Sequence, residues 1–393
     1  MADSSLAPSP GRPVNTTRAE REQFDSIGSF MSTRRHHHNG RLGRALFIAA
    51  TALAAAVAIG ATYEFLGARH DTQRFPQRGK SFDIGGGLVL NLNCTGSVPP
   101  TVILESGLGV SSLGWISVQP EIAKYARVCS YDRAGYGGSA PASKPRTALQ
   151  IARELKALLK AAGEGGPYVL VGPSFGGFIV RVFAGEYPAD VAGLVLVEAS
   201  HEDEREQVDR IISAEAKAQR AAAEARAKQS ARMLPFIEPL SSYLGIDRLR
   251  SAMNPDTSPP PFGWSSSVME EFRYLDRQAK TRQTVEAETT SATQSGEQAR
   301  SSGGIGNWPL VVLTGGNMKF RPDPLTPPET QSQLKNLWIN VLQGGLAQMS
   351  TRGRHIVLNG CGHLIQFECP GAVISAIQDV WTEASTGDRP ARR

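Results

Sequence analysis

From about residue 80 onward, short apolar runs alternate with longer amphipathic ones. SFDI, LVLNLNC, TVILES, ARVCSY, YVLVG, GLVLVEAS, PLVVLTG and HIVLNG are the short runs, rich in β-favouring residues. Most are separated by stretches with helical character, such as ALQIARELKALLKAAG and the segment after Ser174. Strands alternating with helices predict βαβ units and an α/β fold, with a mostly parallel, doubly wound sheet covered on both faces. The first two runs meet at Gly85, Gly86 and Gly87, which predicts a hairpin turn opening the sheet. A strand rather than a helix follows these glycines, so they do not form a phosphate cradle.

One connection is out of scale. About 100 residues separate GLVLVEAS from PLVVLTG, far beyond an ordinary loop. The gap opens with a strongly helix-forming Ala/Glu/Arg/Lys segment, Glu202 to Arg232, and later holds SVMEEFRYLDRQAKTRQTVEAE. The breaker NPDTSPPPFGW lies between them. Helices inserted between two strands predict a helical cap over the strand ends at residues 201–305, with the core formed by 80–200 and 306–385.

The N-terminal region has a different texture. Residues 1–44 are rich in Ser, Pro, Arg and Asn and have almost no apolar periodicity, which predicts a disordered tail. Ala45 to Tyr63, ALFIAATALAAAVAIGATY, carries no charge. At ~1.5 Å per residue it covers roughly 28 Å, close to the thickness of a hydrocarbon core. The run begins only after 44 residues, which favours a transmembrane anchor in the bilayer over a cleaved signal; secretion after cleavage is the alternative. Arg34-Arg35 is followed by HHH, where a twin-arginine signal wants apolar residues. Arg34, Arg35, Arg41 and Arg44 precede the span with no intervening acid, whereas Glu64 and Asp71 accompany Arg69, Arg74 and Arg78 beyond it. This bias favours a single-pass membrane protein with a cytoplasmic tail and an extracytoplasmic catalytic domain.

Composition narrows the partners. With 393 residues, 40% of them hydrophobic, the chain is globular in balance, and its net charge of +5 is small for that length. Lys and Arg are dispersed without a basic block interleaved with aromatics, which argues against a nucleic-acid partner. Cys94, Cys129, Cys361 and Cys369 lack C-x-x-C spacing and paired histidines, which argues against zinc. Cys361 and Cys369 can bridge in an oxidising compartment, and four free thiols are the alternative. No metal, flavin or nucleotide motif stands out, and no cofactor is expected.

The chemistry concentrates around YVLVGPSFGG, Tyr168 to Gly177. A strand that ends in G-x-S-x-G and turns at once into a helix is a nucleophile elbow. The tight turn lifts the Ser174 hydroxyl clear of the backbone, and Gly172, Gly176 and Gly177 leave room for neighbouring elements. The helix then points its N-terminus at the reacting centre. A nucleophilic serine needs a base held in the correct tautomer. His36, His37 and His38 lie in the tail, His70 just past the span, and His355 begins a run. His363, directly after the last run, is the candidate base in the order Ser…acid…His. His201 is expected at the cap entrance, and Trp115 is likewise expected to contact substrate. Glu198 ends an apolar run, where a carboxylate is costly unless paired, and is the preferred acid; Asp323, in TGGNMKFRPDP, is the alternative. The oxyanion hole is expected from the N–H groups of Phe175 and Leu108, with Gly107 allowing close approach.

VILESGLG, YDRAGYGGS, LVGPSFGG, GLVLVEASH and GCGHLIQFECP, in this order, resemble the α/β-hydrolase superfamily over roughly residues 80 to 385, in its serine-nucleophile, cap-bearing form. In that family the oxyanion loop usually has His-Gly where Ser106-Gly107 stands here. Its acid usually follows the strand after the cap, near the place of Asn317, although some members use the earlier strand, as Glu198 would. The resemblance also implies that Asp132 and Arg133 are structural. It points to a carboxylesterase- or lipase-like serine hydrolase cleaving an ester, thioester or amide through an acyl-enzyme. Serine in place of aspartate disfavours epoxide hydrolysis and dehalogenation. A cofactor-free haloperoxidase-like or C–C bond hydrolase and a non-catalytic ligand receptor are the alternative readings.

Overall fold

The computed structural model describes residues 18–142, 145–254, 258–317 and 327–386. The chain divides into two units, Met1–Tyr63 and Glu64–Arg393.

Each β-rich run becomes a strand: β1 Lys80–Asp83, β2 Val89–Thr95, β3 Thr101–Leu104, β4 Val128–Asp132, β5 Tyr168–Pro173, β6 Val191–Val197, β7 Leu310–Gly315 and β8 Gly353–Leu358. They form one sheet in the order β1-β2-β4-β3-β5-β6-β7-β8. β1, β2 and β4 pair antiparallel, and the strands from β4 onward in that order pair parallel. The β1–β2 turn runs through Gly85, Gly86 and Gly87, all at positive φ, so the glycines serve the hairpin.

The helices are α1 Arg18–Arg74, α2 Gln119–Ile122, α3 Ala148–Ala161, α4 Gly176–Glu186, α5 Glu204–Ile211, α6 Ala214–Tyr243, α7 Ile246–Met253, α8 Ser266–Asp276, α9 Ala279–Thr290, α10 Ala292–Ser301, α11 Pro328–Asn336, α12 Gly344–Ala347, α13 Ile365–Glu368 and α14 Pro370–Ser385. A π-helical stretch, Leu337–Gln343, joins α11 to α12. Period-two alternation divides the core between the two faces of the sheet. Ile103, Cys129, Leu170, Leu194 and Val312 pack in one cluster with α3 and α4. Val102, Val128, Val169, Val195 and Val311, their immediate neighbours, pack in the other with α14.

The 100-residue gap forms α5 to α10. Its attachment to the core is polar and close: the Ala148 N–H donates to Ser295 Oγ at 3.0 Å, and Glu288 of α9 reaches the loop after β4.

The N-terminal helix runs from Arg18 to Arg74. RAEREQF is a run of good helix formers, and helix propagates readily from the apolar segment beyond it. Residues 1–17 lie outside the described residues. The stretch Gly43–Arg74 is long and apolar enough to cross a membrane, and its most apolar window has no buried residue. All four cysteines are paired. Cys94 and Cys129, cross-strand neighbours on β2 and β4, are bonded, and Cys361–Cys369 closes a loop around His363.

Candidate active site

The turn from β5 into α4 is shaped by its neighbours. Ser174 has φ 48°, a left-handed conformation that costs a non-glycine residue energy. It is half-buried, whereas the residues on either side are buried. A side chain at Gly172 would meet Gly176 O at 2.6 Å, one at Gly176 would meet Ser106 O at 2.8 Å, and one at Gly177 would meet the Ala199 Cβ at 2.5 Å. The three glycines thus let α4, the loop after β3 and the end of β6 converge on one serine.

The loop after β3 faces that serine. A Cβ on Gly107 would lie 3.6 Å from the Ser174 Cβ. Among the described residues, the N–H groups of Leu108 and Phe175 donate to no protein acceptor. Two unspent donors beside a hydroxyl at a helix N-terminus can receive developing negative charge.

A buried network holds this loop in place. Arg133 donates from Nη1 to Ser106 O at 2.6 Å and to Glu105 Oε1 at 2.7 Å, and from Nη2 to Gly107 O at 2.9 Å. Its Nε and Nη2 also reach the two oxygens of Glu288, both at 2.9 Å. The Tyr136 hydroxyl donates to Glu288 Oε2 and accepts from the Gly109 N–H. The cap helix α9 is therefore wired to the loop after β3 through one arginine. Asp132 receives Ser112 N–H, Gly138 N–H and the Asn91 amide, a turn-building role.

Glu198 is fully buried at the end of β6, with φ 47°. The Gly315 N–H donates to its Oε2 at 2.7 Å, and Trp338 Nε1–H donates to its Oε1 at 2.6 Å. Desolvation pushes its pKa up to about 7, against the pull of these two hydrogen bonds. Each oxygen keeps a lone pair for another donor. Gly315 also abuts the His363 loop: a Cβ there would meet Gly362 O at 2.3 Å. The loop is braced further by Asn317 N–H to Cys361 O at 3.0 Å and by Leu364 N–H to Glu368 Oε1 at 3.3 Å.

His363 is exposed on that loop, and among the described residues its ring makes no hydrogen bond. Desolvation lowers its pKa, with Glu368 opposing. The structure thus brings the Glu198 shell and the His363 loop into contact without joining the two side chains. Catalytic hydrogen bonds are commonly long before substrate arrives.

The other site expectations fare differently. Trp115 is 1% exposed in the core and donates from Nε1 to Glu105 O at 3.0 Å. It is a packing residue rather than a substrate contact, because its indole fills the space beneath the loop it braces. His201 Nδ1 accepts the Asp203 N–H at 3.1 Å, and desolvation lowers its pKa, so the ring is held neutral beside the acid-bearing turn. Asp323 lies outside the described residues. A cavity of about 370 Å³ lined by Glu64, Asp71, Arg248 and Lys280 is charged and does not include Ser174. Trp338 and Glu288 were invisible as partners in the sequence. Their only signals were a tryptophan in a helical run and an acid in a polar one.

The chain belongs to the alpha/beta hydrolase fold family, which its residues 100–370 match. Over 119 residues it is 35% identical to the uncharacterized protein YqjL of Bacillus subtilis (strain 168), covering 30% of this chain and 47% of that protein. Over 113 residues it is 34% identical to an AB hydrolase superfamily protein of Gibberella zeae, covering 28% of this chain and 35% of that one. It thus spans less than half the length of these curated relatives. Its fold is shared with a thermophilic esterase from Thermogutta terrifontis, at 21% identity and a TM-score of 0.50, over 78% of this chain and 98% of that one.

Proposed function

We propose that the protein is a membrane-anchored serine hydrolase that cleaves an ester, thioester or amide through an acyl-enzyme. One observation carries this reading: Ser174 is held at φ 48° beside Gly107, with the unspent N–H groups of Phe175 and Leu108 nearby. In this reading Ser174 Oγ attacks the carbonyl carbon while neutral His363 takes its proton. The carbonyl oxygen, now anionic, is held by the N–H groups of Phe175 and Leu108. His363 then protonates the leaving group, and a water activated by the same imidazole releases the acyl chain. Glu198 is the acid that stabilises the imidazolium, since it is a buried carboxylate against the His363 loop with lone pairs to spare.

Two further observations support the anchor and its orientation. Leu46, Phe47, Ile48, Leu53 and Ile59 are exposed on the apolar helix, as lipid-facing residues would be. Both disulfides lie in the hydrolase unit, which suits an oxidising, extracytoplasmic compartment. A fluorophosphonate probe tests the mechanism: the full chain should be labelled at Ser174, and labelling should vanish in Ser174→Ala. Labelling that survives the substitution would refute it. A panel of p-nitrophenyl esters of rising acyl length would then define the substrate.

A further inference from the structure

We infer that the cap docks on the surface of the same bilayer that holds α1, through an apolar face made by the end of α6 and by α7. The inference rests on the reading of α1 as an anchor. Helix α7 is amphipathic in the inverse sense for a soluble protein. Its charged side is turned inward: Arg248 donates to Glu64 from Nε at 3.0 Å and to Asp71 from Nη1 at 2.8 Å, and Asp247 accepts from Arg282 at 2.8 Å. Its apolar side is turned outward, with Ile246, Leu249 and Met253 exposed at 45%, 52% and 72%. The spacing i, i+3, i+7 puts those three on one stripe. Leu240 and Tyr243, at the end of α6, add 57% and 72% exposure to the same turn of chain.

The occupant follows from connectivity. Glu64, the partner of Arg248, is the residue immediately after Tyr63, where the uncharged run ends. Gly67 is also packed against Arg248, close enough that a Cβ there would meet its side chain at 2.4 Å. Helix α7 is therefore clamped by its charged side to the few residues by which the chain leaves its span, and its apolar stripe stays free. A helix with one apolar face at that position has a bilayer interface as its neighbour, and Tyr243 suits the headgroup level. Exposed Arg250 can extend its charge to the headgroups while its stem stays apolar. A cap seated at the interface receives substrate from the membrane, so the substrate class is a lipophilic ester or amide dissolved in the bilayer.

The test uses the full chain reconstituted in phosphatidylcholine vesicles, with a photo-crosslinking benzoylphenylalanine placed singly at Leu53, Leu249 or Glu297. Lipid adducts are expected at Leu53 and Leu249, and none at Glu297, which is exposed on α10. Adducts at Leu53 without adducts at Leu249 would overturn the docking and leave the anchor standing; absence at both would overturn the anchor and the docking together. In the doubly substituted Leu249→Glu, Met253→Glu protein, turnover of a long-chain ester embedded in the vesicles should fall on the order of 10-fold, since two apolar burials are lost. Its turnover of soluble p-nitrophenyl acetate should stay unchanged, which also shows that the variant folds. Equal turnover of the embedded ester by variant and parent would overturn the proposal. Failure of the parent itself to turn over the soluble ester would instead strike the hydrolase reading.

Discussion

Two residues of the unit Glu64–Arg393, Ser174 and Glu198, adopt nearly the same left-handed backbone angle, at φ 48° and 47°. They are maintained in opposite ways. The Ser174 turn is built from its own sequence: glycines on both sides give neighbouring backbone the space that side chains would fill. The Glu198 turn borrows its stability from residues 117 and 140 positions away, Gly315 and Trp338. The two turns also touch, because the Ser200 N–H donates to Ser174 O at 3.0 Å and Gly177 packs on Ala199. The Ser174 turn can be encoded locally because it needs only room for the backbone around it. A buried carboxylate needs hydrogen-bond donors that no short stretch of chain supplies.

Substitutions can set the two turns against each other. Ser174→Ala should have the largest effect, a loss of turnover of ~10³-fold or more without loss of fold, read from kcat and thermal denaturation. His363→Ala should be comparably severe in a turnover assay; if His201→Ala proves the crippling change instead, the base is misassigned.

Glu198→Gln should cost roughly 10²–10⁴-fold in kcat, because shape is kept while the charge that stabilises the imidazolium is lost. The pH profile sharpens this. Activity should fall as pH drops through about 7, where Glu198 takes up a proton. In Glu198→Gln that limb should disappear, leaving the loss that accompanies protonation of His363, whose pKa lies below the ordinary 6.5. An unchanged limb in the variant would remove Glu198 from the mechanism.

Trp338→Phe should act through Glu198 alone. Removing a hydrogen bond to the charged form raises the carboxyl pKa further, so the acid limb should move to higher pH, with kcat at its plateau reduced only ~3- to 10-fold. The same substitution should leave fluorophosphonate labelling of Ser174 at high pH nearly intact. The mildest break is at the seam between the turns. In Gly177→Ala the added methyl meets Ala199 at 2.5 Å, and overpacking should cost ~1–3 kcal/mol in chemical denaturation.

The sheet was legible from the chain because its information is periodic and local. All eight apolar runs became strands, and the hairpin glycines and the interrupted connection stood where patterning put them. The elbow was equally legible, since Gly172, Ser174, Gly176 and Gly177 are spaced by the geometry of a single turn. Trp115 misled, because an indole near the loop after β3 looks the same in sequence whether it lines an opening or fills the core. Sequence alone therefore determined the strands, the tight turn at Ser174 and the apolar span, each set by residues within a few positions of one another. Only the tertiary structure decided that Trp338 and Gly315 would clothe Glu198, that Glu288 would grip the loop after β3 through Arg133, and that α7 would turn its charges inward. Hydrogen-bond donors and charges find partners by proximity in space, and proximity across 100 residues of chain comes into being only on folding.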